Sequence, residues 1–284
     1  MALLTLVALT AFAGNSLLTR AALRDTGIDG ASFTAIRILS GALALWLIVR
    51  VRSGPGTSAG AGTWSSALAL FCYAAAFSFA YLSLTAATGA LLLFAAVQVT
   101  MIGAGRVRGE RLYGMQGPGL LVAVVGLVVL LLPGLSAPPI GGAFLMIGAG
   151  VAWGVYSLRG RRAAALGHDA TIETAGNFAR AAALAAAMIV TALALPGGLQ
   201  ADATGATLAV VSGAITSGMG YAIWYSALKG LGSVTAASVQ LSVPVLTAIA
   251  GVVLLSEPVS LRLAVASMAV LGGIAMVILA KRPA

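Results

Sequence analysis

The sequence predicts an all-α integral membrane protein of ten transmembrane helices, arranged as two inverted five-helix repeats. Three observations predict it. The 284 residues are 60% hydrophobic and only 8% charged, the apolar runs have membrane-spanning length, and the two halves of the chain resemble each other. Seven carboxylates and 16 basic residues are too few to cover the surface of a water-soluble fold of this length.

A helix needs about 20 apolar residues to cross about 30 Å of hydrocarbon. Ten such runs can be read: 2–22, 31–49, 64–84, 86–105, 112–132, 140–158, 171–195, 205–228, 233–255 and 260–280. They leave almost no room for a soluble domain. Within the first run, "TAFAGN" (10–15) offers an Ala-x-Ala cleavage pattern, but no Lys or Arg precedes the apolar stretch as a signal peptide requires. The run is therefore read as a helix of the mature chain. Cys72 is the single cysteine and lies inside the third run, which excludes an intramolecular disulfide and a two-cysteine redox motif.

Charge orders the topology. With a cytoplasmic N-terminus, the inner segments hold Arg50, Arg52, Arg106, Arg108, Arg111, Arg159, Arg161, Arg162, Lys229, Lys281 and Arg282, while the outer loops hold Arg20, Arg24 and Arg262. This bias places both termini in the cytoplasm of a bacterial-type inner (plasma) membrane. It also accounts for the net charge of +9 through anionic lipid as the partner, with no nucleic acid required.

The repeat carries the architecture. Residues 79–116, "FAYLSLTAATGALLLFAAVQVTMIGAGRVRGERLYGMQ", align without a gap with 226–263, "SALKGLGSVTAASVQLSVPVLTAIAGVVLLSEPVSLRL". The alignment sets Thr88 opposite Thr235, Glu110 opposite Glu257 and Gly126 opposite Gly273. Upstream, "AGNSLLTR" (13–20) matches "WGVYSLRG" (153–160), and "AIR" (35–37) matches "FAR" (178–180). The halves are 1–136 and 137–284. Because each holds an odd number of helices, the second is inverted in the membrane, an arrangement that places a substrate site near the midplane between the halves.

Two five-helix halves, each with a Glu opening its last helix ("RGERL", "SEPVSL") after a "LTAATGALL" or "SVTAASVQL" helix start, resemble the drug/metabolite transporter superfamily of EamA type over essentially the full length. Within it the chain looks most like bacterial amino-acid exporters. The resemblance implies alternating-access export of small molecules without a cofactor. One departure is visible: the aromatic-Gly pair of the family's first helix is "AG" at 13–14, whereas "WG" stands at 153–154.

The mid-helix residues specify what such a site could hold. Asp25, Asp29, Glu110, His168, Asp169, Glu173, Asp202 and Glu257 all fall at helix ends or in loops. Without an ionisable carboxylate or His at depth, gradient-driven uniport is favoured over proton antiport, and neither a metal cluster nor a nucleophile–base pair for an intramembrane enzyme can be assembled. The runner-up readings are an exporter of other metabolites or drugs by proton antiport, and a non-transport membrane enzyme. Asn15, Gln98 and Gln240 are amides at mid-depth, and amides donate and accept without burying a charge. Pro244 in "SVQLSVPVLTA" (238–248) is expected to free the Gln240 carbonyl beside the hydroxyls of Ser238 and Ser242. That feature is either a polar cradle for an amino group or a packing kink.

Aromatic stripes complete the candidate pocket. Tyr73, Phe77 and Tyr81 share one face, Tyr221, Trp224 and Tyr225 lie on the repeat-related helix, and Trp153 and Tyr156 are placed to join them. They line a cavity or pack helices. Trp46, Trp64 and Tyr113 sit near helix ends as interfacial residues, and small residues such as Gly148, Gly150 and Gly154, or Ser217, Gly218 and Gly220, mark close helix contacts. Two arginines lie inside the apolar runs: Arg37 is expected to pair with Glu257 at the outer face, and Arg180 with Glu110, or alternatively Glu173, at the inner face. Snorkelling to the headgroups is the other reading of both. In "SEPVSL", Ser256 is expected as an N-cap, with Glu257 and Pro258 in the first turn of the last helix.

Overall fold

The computed structural model describes residues 2–53, 61–109, 113–134, 137–196, 198–228 and 239–280. Among these the chain is helical throughout, with no strand. The elements are α1 Ala2–Asp25, α2 Gly30–Ser53, α3 Trp64–Tyr81, α4 Ala86–Val107, α5 Gln116–Leu131, α6 Ile140–Ala165, α7 Ala170–Leu193, an eighth helix in three consecutive segments, then α9 Ser242–Leu255 and α10 Leu261–Leu279. The eighth, α8, runs through Ala203–Val211, a π-helical stretch Ser212–Met219, and Gly220–Leu228. Eight helices are long and apolar enough to cross a membrane, while α5 and α9 are apolar but shorter. The outside is covered by large apolar side chains such as Leu43, Phe144, Val190 and Met268, as a multi-pass membrane protein requires.

Local chemistry starts and seals these helices. Thr63, Thr85, Asp169 and Ser260 cap α3, α4, α7 and α10 by accepting the N–H of Ser66, Thr88, Thr171 and Leu263. Within the spans, the hydroxyls of Thr19, Thr34, Ser78 and Thr216 donate to the carbonyls four residues earlier, so these polar groups carry their own partners into apolar surroundings.

Several of the helix pairings are related by an exchange. α2 packs on α7, α4 on α9 and α5 on α10; α3 on α6 is matched by α8 on α1, and α4 on α6 by α9 on α1. Exchanging α1–α5 for α6–α10 returns the same set. Small residues set the closest approaches: a Cβ on Gly150 would lie 2.6 Å from the Leu93 carbonyl of α4, and one on Gly119 would lie 2.6 Å from the Gly273 carbonyl of α10. Gly148, expected in the same role as Gly150, faces open space.

The structure corrects the reading of the last helix pair. Ser256 does not begin α10; it ends α9 in the left-handed conformation, φ 52°, and the Glu257 N–H closes back on the Gly251 carbonyl. Ser260 is the true cap of α10, four residues later. Pro244 is not a mid-helix kink either. A turn at Leu241 interrupts the helix, and Pro244 falls in the first turn of α9, where its missing N–H removes no helical bond. The Ser242 hydroxyl donates to the Val239 carbonyl across that break, at 2.6 Å. Ser238 lies outside the described residues.

Candidate functional site

Midway along the bundle, α1, α3, α4, α6, α8 and the turn before α9 line a small, partly open cavity. From the sequence reading, Asn15, Tyr73, Phe77, Trp153, Tyr221 and Gln240 lie on its wall. Their rings form a continuous surface: Phe77 to Tyr73 at 5.4 Å between centroids, Tyr73 to Trp153 at 4.8 Å, and Trp153 to Tyr221 at 5.1 Å.

The other expected residues stand behind that wall. Tyr81 is fully buried, with its ring edge-on to Phe77 and its hydroxyl donating to the Ala86 carbonyl. Tyr156 backs Trp153, and Trp224 packs on Phe12. Gln98, Ser242 and Pro244 are absent from the cavity surface. The structure adds Phe12, Ser16, Leu93, Phe94 and Thr216 to it. Phe12 and Ser16 were legible, because they share the face of Asn15 at helical spacing. Thr216 was not, because it reaches the site through the π-helical stretch.

That stretch organises the polar half of the cavity. A π-helix bonds residue i to i+5, so Ser212, Thr216 and Ser217 come to one side of α8. Ser212 Oγ donates to Asn15 Oδ1 at 2.7 Å, with Thr216 Oγ1 3.3 Å from the same atom. Asn15 Nδ2 then donates to the Tyr73 hydroxyl at 3.3 Å, and Arg37 Nη2 donates to that hydroxyl at 3.0 Å. Arg37 Nε returns to Ser217 Oγ at 3.3 Å. The chain of bonds therefore leaves α8, crosses α1, α3 and α2, and closes on α8 again. No carboxylate takes part.

The two ends of the bundle are tied across the halves by charge. Glu257, expected to meet Arg37, is held by Arg20: Nε to Oε1 is 2.9 Å, and Oε2 accepts the Ala86 N–H at 2.7 Å. Ala86 is the first residue of α4, whose leading N–H groups have no helical acceptor, so an anion is favoured there. Arg20 also reaches the Tyr81 carbonyl at 2.9 Å, and Arg24 approaches Glu257 to 3.8 Å. The expected pairing failed because Arg37 points inward, 2% exposed, into the cavity network rather than toward the helix ends.

At the opposite end, Glu173 accepts the Gly62 N–H at 3.1 Å and contacts His168 at 2.9 Å. Arg180 does not reach Glu173; it donates to the carbonyls of Ala61 and Gly176. Glu110, its other expected partner, lies outside the described residues.

A second tie at the Glu257 end yields a pH prediction. Asp29 accepts the N–H groups of Ala31 and Ser32 at the start of α2 and the Gln200 N–H at 2.6 Å from the other half. Burial alone would raise its pKa, but the bonds from Ser32, Gln200 and Ala31 outweigh it and hold the carboxyl below its usual value of 3.8. A depressed folded pKa contributes stability above the unfolded value and loses it as pH falls through the folded one. Asp29→Asn is therefore expected to lower the apparent Tm near neutral pH, with the gap to the parent protein shrinking below about pH 4. Melting curves in detergent between pH 3 and 7 check this, and a gap that widens in acid would contradict it.

Comparison with known proteins bears on the whole chain. Residues 140–279 match the EamA-like transporter family. A protein of Pseudomonas aeruginosa, the uncharacterized protein PA1977, is 56% identical over 276 residues, covering 97% of this chain and 93% of that protein. A crystal structure at 22% identity aligns with a TM-score of 0.66 over 96% of this chain and 94% of that one. At that identity the match speaks for the fold alone.

Proposed function

Because the chain belongs to the EamA-like transporter family, we propose that it is an inner-membrane, alternating-access exporter of small zwitterionic metabolites, with amino acids as cargo, aromatic and other apolar ones included. The observation that carries the reading is the cavity itself. One wall is an aromatic surface from Phe77 to Tyr221 and the other an amide–hydroxyl chain through Asn15, which suits a molecule with one apolar and one polar side. Among the described residues neither wall holds a carboxylate to trap a lipophilic cation or to carry a proton, which favours uniport down a gradient.

The exchange rule among helix pairs supports two inverted repeats, 1–136 and 137–284, that rock about the cavity between them. The basic-loop bias supports an orientation in which Glu257 faces outward. On that reading Arg20 and Glu257 close the outer side, and Glu110 serves the inner side as the repeat-related carboxylate.

Counterflow in proteoliposomes, across a panel of labelled amino acids with and without a proton gradient, tests this. Exchange of Phe, Tyr, Trp or Leu that persists with a protonophore is the expected result. Indifference to every amino acid would end the cargo assignment, and strict dependence on the proton gradient would exclude uniport.

A further inference from the structure

The reading above leaves Arg37 without a task. It lies about 10 Å along α2 from its first residue, is 2% exposed, and forms no ion pair among the described residues. Its acceptors, the hydroxyls of Ser217 and Tyr73, are neutral, and Nη1 has no hydrogen-bond partner among the described residues. Its guanidinium therefore sets a positive charge in a low-dielectric interior without a counter-charge among the described residues. The faces of Tyr73 and Phe77, 5.2 and 5.0 Å from the guanidinium carbon, offset only part of that charge. What would complete the site is an anion.

The cation is also placed to meet one. The two rings that cover it are cavity walls, and the hydroxyl that accepts its Nη2 proton accepts as well from Asn15, another wall residue. Arg37 is not itself a wall residue, and the Tyr73 hydroxyl links it to the wall. We propose that Arg37 is the receptor for a carboxylate on the transported molecule, which takes the free Nη1 donors while the apolar part of the molecule lies along Trp153 and Tyr221. The planar fork of Arg matches a carboxylate in two parallel bonds, which an ammonium could not do. The identity of the rest of the molecule rests on the proposed cargo; the requirement for a carboxylate does not.

The test is calorimetric binding to the purified full-length protein with four probes: L-phenylalanine, L-phenylalaninamide, 3-phenylpropionate and chloride. Both carboxylates are expected to bind, with the amide at least about tenfold weaker than L-phenylalanine, because loss of the acid leaves a buried donor unpaired. Arg37→Gln should erase the preference of acid over amide. Arg37→Lys, which keeps the charge without the fork, should weaken acid binding and leave amide binding unchanged, so the idea remains testable if the Gln variant does not fold. A role confined to positioning Tyr73 would lower both affinities together.

Equal binding of acid and amide, a preference that survives Arg37→Gln, failure of both carboxylates to bind, or chloride binding as tightly as they do would overturn the assignment. Binding of 3-phenylpropionate through Arg37 with no amino acid bound would sink the amino-acid reading and leave this one standing. Amino-acid counterflow untouched by Arg37→Gln would do the reverse.

Discussion

Replacing Glu257 by Gln is expected to destabilise the protein by about 3–5 kcal/mol, the usual cost of removing one partner of a buried ion pair and leaving the other charge behind. The site meets that condition: the side chains of Arg20 and Glu257 are 13% and 5% exposed. Glutamine keeps the volume, and its carbonyl can still accept the Ala86 N–H. The loss therefore isolates charge from packing. Arg20→Gln strands the carboxylate instead, although Arg24, 3.8 Å away, can swing toward it and reduce the penalty. In the double variant the two losses should sum to clearly less than their separate values, because neither uncompensated charge remains. Chemical or thermal unfolding in one detergent, over all four proteins of the cycle, measures this. Strictly additive losses would show that the pair contributes nothing as a pair. Transport should respond too, since these contacts join Glu257 of one half to Arg20 and Ala86 of the other.

The second large effect is expected at Gly213. A Cβ there would overlap the Ser40 hydroxyl and the Arg37 carbonyl of α2, with the Arg37 carbonyl carbon at 2.8 Å. Nearby, a Cβ on Gly41 would meet the Phe178 ring at 2.6 Å, so α2, α7 and α8 converge on one glycine-lined crossing. Two of the obstacles are backbone atoms, which cannot turn aside as a flexible side chain does. Gly213→Ala should cost about 1–3 kcal/mol by overpacking, and Gly213→Val more. Gly103 supplies the control, because a Cβ there meets nothing within 4 Å; Gly103→Ala should be neutral or stabilising by about 0.5–1 kcal/mol. Equal melting temperatures for Gly103→Ala and Gly213→Ala would refute the packing account. The functional loss at Gly213 should exceed the stability loss, since parting α2 from α8 also draws Arg37 away from Ser217 and opens the bond chain through Asn15.

The two predictions concern different layers of the protein. The Glu257 contacts sit at one end of the bundle. The ties of Gly62 and Thr63 to Glu173 and Asn177, like that of Asp29 to Gln200, join α2, α3, α7 and α8 along the flank of the bundle. Their counterparts occur at both ends of the bundle in the same structure. Contacts made at both ends at once describe a frame.

Much of this was legible beforehand. Spanning-length apolar runs fix the helices, because a backbone in hydrocarbon has to satisfy its own polar groups, and the boundaries of α2, α4 and α7 shift by only a few residues from the runs read in the sequence. Tyr73, Phe77, Trp153 and Tyr221 could be singled out as aromatics in the middle of apolar helices, and Asn15 and Gln240 as amides at the same depth. What failed failed for identifiable reasons. Glu257 and Arg37 have opposite charges and were expected to meet at the outer face, but sequence does not say which way a long side chain turns, and Arg20, one helix away, was already within reach of the carboxylate. Ser256 was expected to cap α10, but it ends α9 in the left-handed conformation, which most non-glycine residues avoid, and Ser260 caps α10 instead. The π-helical segment "SGAITSGM" carries no periodicity that separates it from an α-helix with small residues.

The sequence by itself determined that this chain lives in a bilayer as apolar helices, because the cost of burying polar groups in hydrocarbon leaves composition little choice. Only the tertiary structure decided that Asn15, Tyr73 and Arg37 link Ser212 to Ser217 of α8 in one chain of hydrogen bonds, and that Arg37 Nη1 has no partner among the described residues. Such a chain depends on distances of about 3 Å between side chains far apart in sequence. Those distances are set by how closely glycines let α2 and α8 approach, which no single helix contains.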